Sequence, residues 1–168
     1  MADPDEERGL ESIAARLGER MLTLGLRLAT AESCTGGWIA KTVTDIPGSS
    51  AWFDSGFVTY SNAAKATLLG VAPAMLNHHG AVSEAVVTAM AEGALAQTQA
   101  QVALAISGIA GPGGGSADKP VGTVWFAWCL PGQQICTQRQ WFEGDRHAVR
   151  RQAVWCAFHG LLERLPEP

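Results

Sequence analysis

The sequence has few charged residues and lacks long apolar runs, and each of these absences excludes a class of protein. Charged side chains make up only 17% of the 168 residues, against 47% hydrophobic ones, which excludes a disordered chain and favours a globular domain. The formal net charge is −4, so we expect no nucleic-acid partner, because nucleic-acid binding needs a basic face. No apolar stretch approaches the ~20 residues that span a bilayer, so we expect no membrane partner.

Disulfide and metal-binding spacings are also missing. The four cysteines form no CxxC pair, and the acidic, polar start "MADPDEERG" has no features of a signal peptide. We therefore predict a cytoplasmic protein with free, mostly buried thiols. His78 and His79 are adjacent and have no carboxylate at ligand spacing, so no metal site is predicted. Cys34 is the one cysteine inside a candidate site loop.

Three well-known catalytic or nucleotide motifs are absent. No G-x-S-x-G occurs, so the nucleophile elbow of α/β-hydrolases is missing. The glycine-rich segment "SGIAGPGGGS" (107–116) leads through Pro120 to a strand. A P-loop or a dinucleotide fingerprint would open a helix there. ATP and NAD are therefore disfavoured, and no cofactor is predicted.

The apolar patterns that are present predict an α/β fold. Helical spacing and capping residues alternate with short β-branched or apolar runs. The order predicts a single domain over residues 1–168, a three-layer α/β/α sandwich with a mixed, mostly parallel, Rossmann-like sheet. The predicted helices are 5–24, 38–46, 62–70, 84–98 and 145–164, the predicted strands are 26–31, 51–61, 101–111, 121–130 and 135–142, and 78–83 is a predicted loop.

Polar turns after these strands are the candidate sites, because ligands of open α/β sheets bind at the carboxyl ends of strands. In "TAESCTGG" (30–37), N–H groups at the helix start could hold an anion or an oxyanion; an ordinary capping turn is the alternative. Arg146 lies in the first turn of the last helix, where the dipole disfavours a cation. It could bind a phosphate, or it could pair with Asp145 or Glu143 in solvent.

A further candidate lies in "PGSSAWFDSGFVTYS" (47–61). Ser50 follows a Pro-Gly break and Tyr60 ends a predicted strand, with Lys65 in the next helix. A serine nucleophile needs a base, and a tyrosine could serve only beside a cation such as Lys65 or Arg146. By itself the position of Ser50 in a turn favours an ordinary loop serine over a nucleophile.

Six ordered motifs together resemble one family. They are "TAESCTGG", "DIPGSSAWFDSGFVTYSNAAK", "GAVSE", "SGIAGPGGGS", "KPVGTVWFA" and "GDRHAVR", and they are similar to the CinA C-terminal domain family, especially its stand-alone nicotinamide-nucleotide amidohydrolases. The resemblance implies hydrolysis of nicotinamide mononucleotide (NMN) to nicotinate mononucleotide and ammonia, in pyridine-nucleotide salvage, without metal. Two alternatives remain open: a nucleotide-sensing or partner-binding module of the same family, and a different amidohydrolase that acts on a related amide.

The resemblance also implies roles for individual residues. It makes Ser50 the nucleophile and Tyr60, beside Lys65, its partner in proton transfer, and it matches functional positions to Ser33, Ser107 and Arg146. A homodimer is expected, as for many small α/β enzymes. With the neighbouring turn and loop residues, the expected substrate-binding set is Glu32, Ser33, Thr35, Gly36, Ser107, Gly108, Gly111 and Arg146.

Overall fold

The computed structural model describes residues 4–167, with side chains from residue 8 onward; residues 1–3 and 168 of the expected domain lie outside the described residues. Within them the chain forms helices and strands in the order predicted, with one helix more. The helices are α1 (Pro4–Leu24), α2 (Trp38–Thr44), α3 (Asn62–Leu69), α4 (Pro73–His79), α5 (Glu84–Ala96) and α6 (Arg146–Arg164), and the strands are β1 (Leu28–Glu32), β2 (Phe53–Val58), β3 (Val102–Gly108), β4 (Thr123–Cys129) and β5 (Cys136–Trp141).

The strands form one sheet in the order β2-β1-β3-β4-β5. β1 pairs in parallel with both β2 and β3, whereas β3–β4 and β4–β5 pair antiparallel. Four strands therefore point the same way and β4 points the other way. The predicted mixed α/β sheet is confirmed.

Helices cover both faces of the sheet, which gives three layers. One core contains the apolar sides of α1, α2 and α6, and a second core lies under α3, α4 and α5. β1 and β3 are buried almost throughout, as expected for strands with a helical layer on each side. Trp128 of β4 shows the close fit: it stacks on Phe126 at 5.5 Å and donates to the backbone oxygen of Ala157 in α6 at 3.0 Å.

One helix was missed by the sequence analysis. Residues 78–83 were expected to form a loop, but His78 and His79 end helix α4. The helix starts with Pro73, whose fixed φ and missing N–H suit the first helical turn. It ends at Gly80, which has a φ of 74°. Pro73 and Gly80 are start and stop signals that can be read in the sequence, but α4 is too short for its helical spacing to be recognised.

The carboxyl ends of β1, β2 and β3 meet at one edge of the sheet because the three strands are parallel. Glu32 pairs with Val58 and with Ile106 across that edge. The polar turns that follow these strands are therefore neighbours in space. Among residues 4–167, no helix has both the length and the apolar composition needed to cross a membrane.

Candidate active site

A cavity of about 200 Å³ opens at this edge of the sheet. Its walls come from the turn after β1, the segment from the end of β2 into α3, the loop before α5, the end of β3 and the start of α6. It is lined by Ser33, Cys34, Tyr60, Asn62, Lys65, Ala81, Val82, Ser107, Gly108, Ala110 and Arg146. Of the predicted site residues, the structure thus brings Ser33, Tyr60, Lys65, Ser107, Gly108 and Arg146 together.

The closest polar contact in this cavity joins Lys65 to Ser33. The Lys65 Nζ atom lies 2.9 Å from Ser33 Oγ and 2.8 Å from the backbone oxygen of Thr59. Ser33 is fixed by its own N–H, which donates to the Ile106 oxygen of β3 at 3.1 Å. Lys65 lies on α3, which Ser61 caps by accepting a hydrogen bond from the N–H of Ala64 at 3.0 Å.

The environment of Lys65 favours its neutral amine. Its side chain is 1% exposed, and no Asp or Glu among the residues with described side chains pairs with it. Burial lowers the pKa of Lys65 below the ordinary 10.5, because a buried ammonium loses its hydration. A neutral Lys65 can accept the Ser33 proton, and serine–lysine pairs are a known variant of the catalytic triad.

Glu32 fills the anion site at the start of α2. Its Oε2 atom accepts hydrogen bonds from Thr35 Oγ1 at 2.6 Å and from the N–H groups of Gly37 and Ile39, each at 3.1 Å. Its Oε1 atom accepts from the N–H of Ala40 at 2.9 Å. Burial raises the pKa of Glu32, and these four donors oppose that rise.

The substrate-binding roles expected for the "ESCTGG" turn therefore need correction. Thr35 Oγ1 donates to the Glu32 carboxylate, and neither residue lines the cavity. Gly36 adopts a left-handed backbone with a φ of 61° and also lies outside the lining. An external anion cannot bind at the start of α2 because the Glu32 carboxylate already occupies it. Of this turn, only Ser33 and Cys34 face the cavity.

Arg146 enters the cavity without a carboxylate partner among the described residues. Its Nη1 atom donates to the Gly111 oxygen and its Nη2 atom donates to the Tyr60 hydroxyl, both at 2.8 Å. The pairing with Asp145 that the sequence left open is not observed, because Asp145 Oδ1 accepts from the N–H of Ala148 at the start of α6. Both partners of Arg146 are neutral, so its charge remains available for an anionic ligand.

The end of β3 contributes a second hydroxyl and an open surface. Ser107 is 1% exposed, and its Oγ atom has no hydrogen-bond partner among the residues whose side chains are described. A buried hydroxyl without a partner is rare, and in a cavity wall it suggests a ligand contact. At Gly108, a Cβ atom would lie 2.7 Å from Val124 Cγ2 and 3.1 Å from Cys34 Sγ, so glycine is required there. Gly111 contributes its carbonyl to Arg146 and lies outside the lining.

Cys34 lines the cavity but has the wrong chemistry for a nucleophile. Its side chain is buried, and burial raises the pKa of its thiol to about 12, with the Glu32 charge adding to the effect. The reactive form of cysteine is the thiolate. Cys34 therefore remains a thiol near neutral pH and serves as part of the wall.

Ser50, the expected nucleophile, lies at the opposite end of the sheet. It is exposed within a single turn of 3-10 helix at Ser49–Ala51, before the start of β2. Tyr60 follows the other end of that strand. Six extended residues at about 3.3 Å each separate the two ends by roughly 20 Å. The structure does not bring Ser50 together with Tyr60 and Lys65, and we correct that expectation.

Sequence reasoning also missed how Lys65 is used. It paired Lys65 with Tyr60, whereas Lys65 contacts Ser33 and the Thr59 oxygen. Tyr60 is 59% exposed and contacts Arg146 instead. The signal that could have found the pair is positional: Ser33 and Lys65 follow β1 and β2, which are adjacent parallel strands. Asn62 also lines the cavity but was not among the predicted site residues, because an asparagine at a helix start is common.

Two larger cavities do not share this chemistry. One of about 510 Å³ lies between β5 and α6 beside Phe142 and Trp155. The other, of about 260 Å³, lies near the ends of α1 and α6 beside Arg16 and Arg20. Neither lining contains a serine or a lysine, so neither cavity has a pair like Ser33 and Lys65. Among the described residues, no group of three or more His, Cys, Asp or Glu is placed to hold a metal ion.

Comparisons with known proteins agree on one family. A sequence model of the CinA C-terminal domain matches residues 10–165. Nicotinamide-nucleotide amidohydrolase PncC of Escherichia coli K12 is 54% identical over 155 residues, covering 92% of this chain and 94% of the relative. The PncC protein of Pseudomonas putida is 53% identical over 154 residues, covering 92% and 96%.

Solved structures show the same fold. The competence/damage inducible protein CihA of Agrobacterium tumefaciens superposes with a TM-score of 0.89 at 44% identity, covering 92% of this chain and 94% of that one. A CinA superfamily protein of Klebsiella pneumoniae 700603 has the same TM-score at 46% identity, covering 93% and 97%. The fold and nearly the whole length of the chain are thus shared with these proteins.

Proposed function

Because the chain belongs to the CinA C-terminal domain family, we propose that it hydrolyses nicotinamide mononucleotide with Ser33 as the nucleophile and Lys65 as the base. Identity of 53–56% over about nine tenths of the chain with nicotinamide-nucleotide amidohydrolases supports the reaction. The protein is an amidohydrolase of this type. The observation that carries the assignment of residues is the 2.9 Å contact between Lys65 Nζ and Ser33 Oγ.

The first half of the reaction forms an acyl-enzyme. Ser33 Oγ attacks the carboxamide carbon of NMN while neutral Lys65 takes the hydroxyl proton. The resulting Lys65 ammonium gives that proton to the leaving nitrogen, the C–N bond breaks, and ammonia departs. Nicotinate mononucleotide remains bound to Ser33 as an ester. Lys65 thus acts first as a general base and then as a general acid.

The second half reverses the roles with water in place of serine. Lys65 takes a proton from water, the hydroxide attacks the ester carbon, and the Ser33 oxygen leaves with the proton returned by Lys65. The sum is NMN plus water giving nicotinate mononucleotide plus ammonia. All proton transfers run through one amine that is 2.9 Å from the nucleophile, so no metal is needed.

The phosphate of NMN is the natural partner of Arg146. The guanidinium is held by two neutral acceptors, the Gly111 oxygen and the Tyr60 hydroxyl, and its charge is not compensated by a described carboxylate. A phosphate would supply that compensation through charge-assisted hydrogen bonds. In this proposal Tyr60 positions Arg146, and Ser107 and Gly108 contact the substrate from the end of β3.

The test is ammonia release by the purified protein from NMN, with free nicotinamide as the matched substrate that lacks ribose and phosphate. Turnover of NMN together with slow turnover of nicotinamide is the expected result. Rapid quenching and mass spectrometry should then find the acyl mass on the peptide that contains Ser33. A protein that binds NMN without releasing ammonia would contradict the proposal and favour the nucleotide-sensing module.

Three further expectations stay proposals. All four cysteines are free thiols, which is consistent with a reducing, cytoplasmic location. The exposed side chains of Trp141 on β5 and Trp155 on α6 offer apolar surface for the expected homodimer, which sedimentation velocity would test. The acidic net charge of −4 supports the absence of a nucleic-acid partner.

A further inference from the structure

The glycine-rich β3–β4 loop (residues 109–122) forms one wall of the cavity. Its base is closed by two backbone hydrogen bonds, from the Ile109 N–H to the Thr123 oxygen at 2.9 Å and from the Gly122 N–H to the Ile109 oxygen at 2.7 Å. Ala110, next to this base, lines the cavity. Irregular loops this long are uncommon in compact domains and are usually functional, so the contacts that hold this loop bear on the site.

The α4–α5 segment (residues 80–83) forms another wall, because Ala81 and Val82 also line the cavity. At the α5 end of the segment, the Ser83 Oγ atom donates to the Gly80 oxygen at 2.8 Å and caps the helix. At the α4 end, Gly80 has a φ of 74°, a conformation that glycine adopts readily but that no side chain of its own can stabilise. The α4 end therefore depends on a contact from outside the segment.

Lys119 of the β3–β4 loop makes that contact and so joins the two walls. Its Nζ atom lies 2.8 Å from the backbone oxygen of His79, the last residue of α4. A cation is favoured at the C-terminal end of a helix, where carbonyl groups lack an intrahelical partner. A Cβ atom at Gly80 would lie 3.4 Å from the same Nζ atom. The ammonium thus lies against the residue that immediately precedes Ala81.

The backbone of Lys119 is itself held in place within the loop. The Lys119 N–H donates to Ser116 Oγ at 3.1 Å, and the Ser116 N–H donates to the Lys119 oxygen at 2.9 Å. The preceding residue is also fixed, because Arg139 of β5 donates through Nη2 to the Asp118 oxygen at 2.6 Å. Both ends of the Lys119 side chain are therefore anchored, one in the loop and one at the end of α4.

We propose that Lys119 is a positioning residue that sets the width of the cavity by tying the β3–β4 loop to the end of α4. This inference rests on the proposed function, because the cavity is the proposed NMN site. Lys119 does not line the cavity, and it acts through Ala110 on one side and through Ala81 and Val82 on the other. Its loss should raise KM and leave kcat nearly unchanged, because the proposed nucleophile and base lie on other elements.

Arg139 is the matched control for Lys119. Each cation holds the β3–β4 loop through one backbone carbonyl, but Arg139 ties the loop to β5, whereas Lys119 ties it to the end of α4. Arg139→Met and Lys119→Met therefore each release the loop on one side. Only Lys119→Met also releases the wall that carries Ala81 and Val82, so an effect of the loop alone should be similar in the two variants.

The experiment measures kcat and KM of both variants for NMN, and kcat/KM for nicotinamide riboside. We expect Lys119→Met to raise KM for NMN by about 10-fold, the scale of one lost hydrogen bond to a charged group, and Arg139→Met to keep the wild-type KM. The kcat/KM for nicotinamide riboside should fall by the same factor in Lys119→Met, because both substrates share the ring and ribose that the walls enclose. Lys119→Arg can still donate to the His79 oxygen and should restore most of the wild-type KM.

Amide hydrogen exchange of the ligand-free protein gives a second readout that does not depend on turnover. Loss of an anchoring contact should speed exchange in the segments that it holds. We expect Lys119→Met to speed exchange both in residues 80–83 and in residues 109–122, whereas Arg139→Met should speed exchange in the loop alone. Unchanged exchange of residues 80–83 in Lys119→Met would overturn the inference, because the two walls would then be held independently.

Three kinetic results would also overturn the inference. An unchanged KM in Lys119→Met would show that the cavity keeps its shape without this contact. A loss confined to NMN would make Lys119 a direct contact of the phosphate, and an equal rise of KM in Arg139→Met would assign the effect to the loop alone. A wild type that releases no ammonia from NMN would instead overturn the proposed function, and hydrogen exchange would still decide whether Lys119 joins the walls.

Discussion

The Nζ atom of Lys65 lies 2.9 Å from the Oγ atom of Ser33, although the two residues are 32 positions apart in the chain. They meet because β1 and β2 are adjacent parallel strands, so the turn after one strand lies beside the segment after the other. Lys65 is also buried and lacks a described acidic partner. These three conditions are the ones that the proposed acyl transfer by Ser33 and Lys65 requires.

Replacement of Ser33 and of Ser50 by alanine should have opposite outcomes. Ser33→Ala removes the proposed nucleophile, and we expect ammonia release from NMN to fall by roughly 10³-fold or more. Ser50→Ala changes an exposed side chain at the far end of β2 and should keep activity near that of the wild type. Loss of activity in Ser50→Ala, with Ser33→Ala active, would restore the assignment suggested by sequence resemblance.

The activity should rise with pH as Lys65 loses its proton. Only the neutral amine accepts the Ser33 proton, so kcat/KM should be low in acid and level off at higher pH. Because burial lowers the pKa of Lys65, the midpoint of this rise should lie below the ordinary value of 10.5. A pH profile of kcat/KM for NMN checks this, and a midpoint at or above 10.5 would contradict the role of Lys65 as base.

Lys65→Met should lose activity but keep the fold. We expect a loss of about 10²- to 10⁴-fold in kcat, the range for general acid–base groups. The pKa of Lys65 is lower in the folded than in the unfolded chain, so the unfolded state binds more protons and stability rises with pH through the window between the two values. The variant should lack that contribution, which urea unfolding at several pH values would measure. A wild-type kcat would contradict the proposal.

Arg146→Gln should weaken binding of the phosphorylated substrate. Without the charge, KM for NMN should rise by about 10- to 100-fold, the scale of a lost charge-assisted hydrogen bond. The matched substrate is nicotinamide riboside, which lacks the phosphate. Its much poorer kcat/KM should be little affected by the same change. If both substrates lose equally, Arg146 contributes to the architecture of the site and not to phosphate binding.

Glu32→Gln should lower stability, because a side-chain NH₂ group would then face donors that now meet a carboxylate. The four hydrogen bonds to Glu32 come from Thr35, Gly37, Ile39 and Ala40. Leaving such buried donors unpaired costs about 1–3 kcal/mol each, so the free energy of unfolding in urea should drop by at least that amount. Glu11→Gln on the exposed face of α1 is the control. An unchanged free energy of unfolding in Glu32→Gln would contradict this internal capping role.

Much of the fold could be predicted from the sequence. Within residues 4–167, apolar patterns located every strand and five of the six helices, because burial on one or both faces imposes a spacing on the residues. Helix α4 was not predicted because its seven residues form too few turns for a helical period to be detected. The polar turns after β1, β2 and β3, which the sequence marked as candidate sites, all contribute to the lining of one cavity.

The roles of individual residues in the candidate site were harder to predict from the sequence. Ser33 and Glu32 are adjacent in a turn rich in capping residues, yet Glu32 points to the start of α2 and Ser33 points to the cavity. Tyr60 was expected to share a site with Ser50 because they are close in sequence. An extended strand lies between them, and it separates its two ends by the greatest distance the chain allows.

The sequence by itself determined the family, the α/β class and the edge of the sheet where the proposed site lies, because motifs and periodicity are local properties of the chain. Only the tertiary structure decided which serine meets the lysine, which carboxylate is used internally and which cation connects the β3–β4 loop to the end of α4. Those contacts depend on the order and direction of strands that are far apart in sequence. Parallel pairing of β1 with β2 joins Ser33 to Lys65, and the same pairing places Ser50 at the opposite end of the sheet.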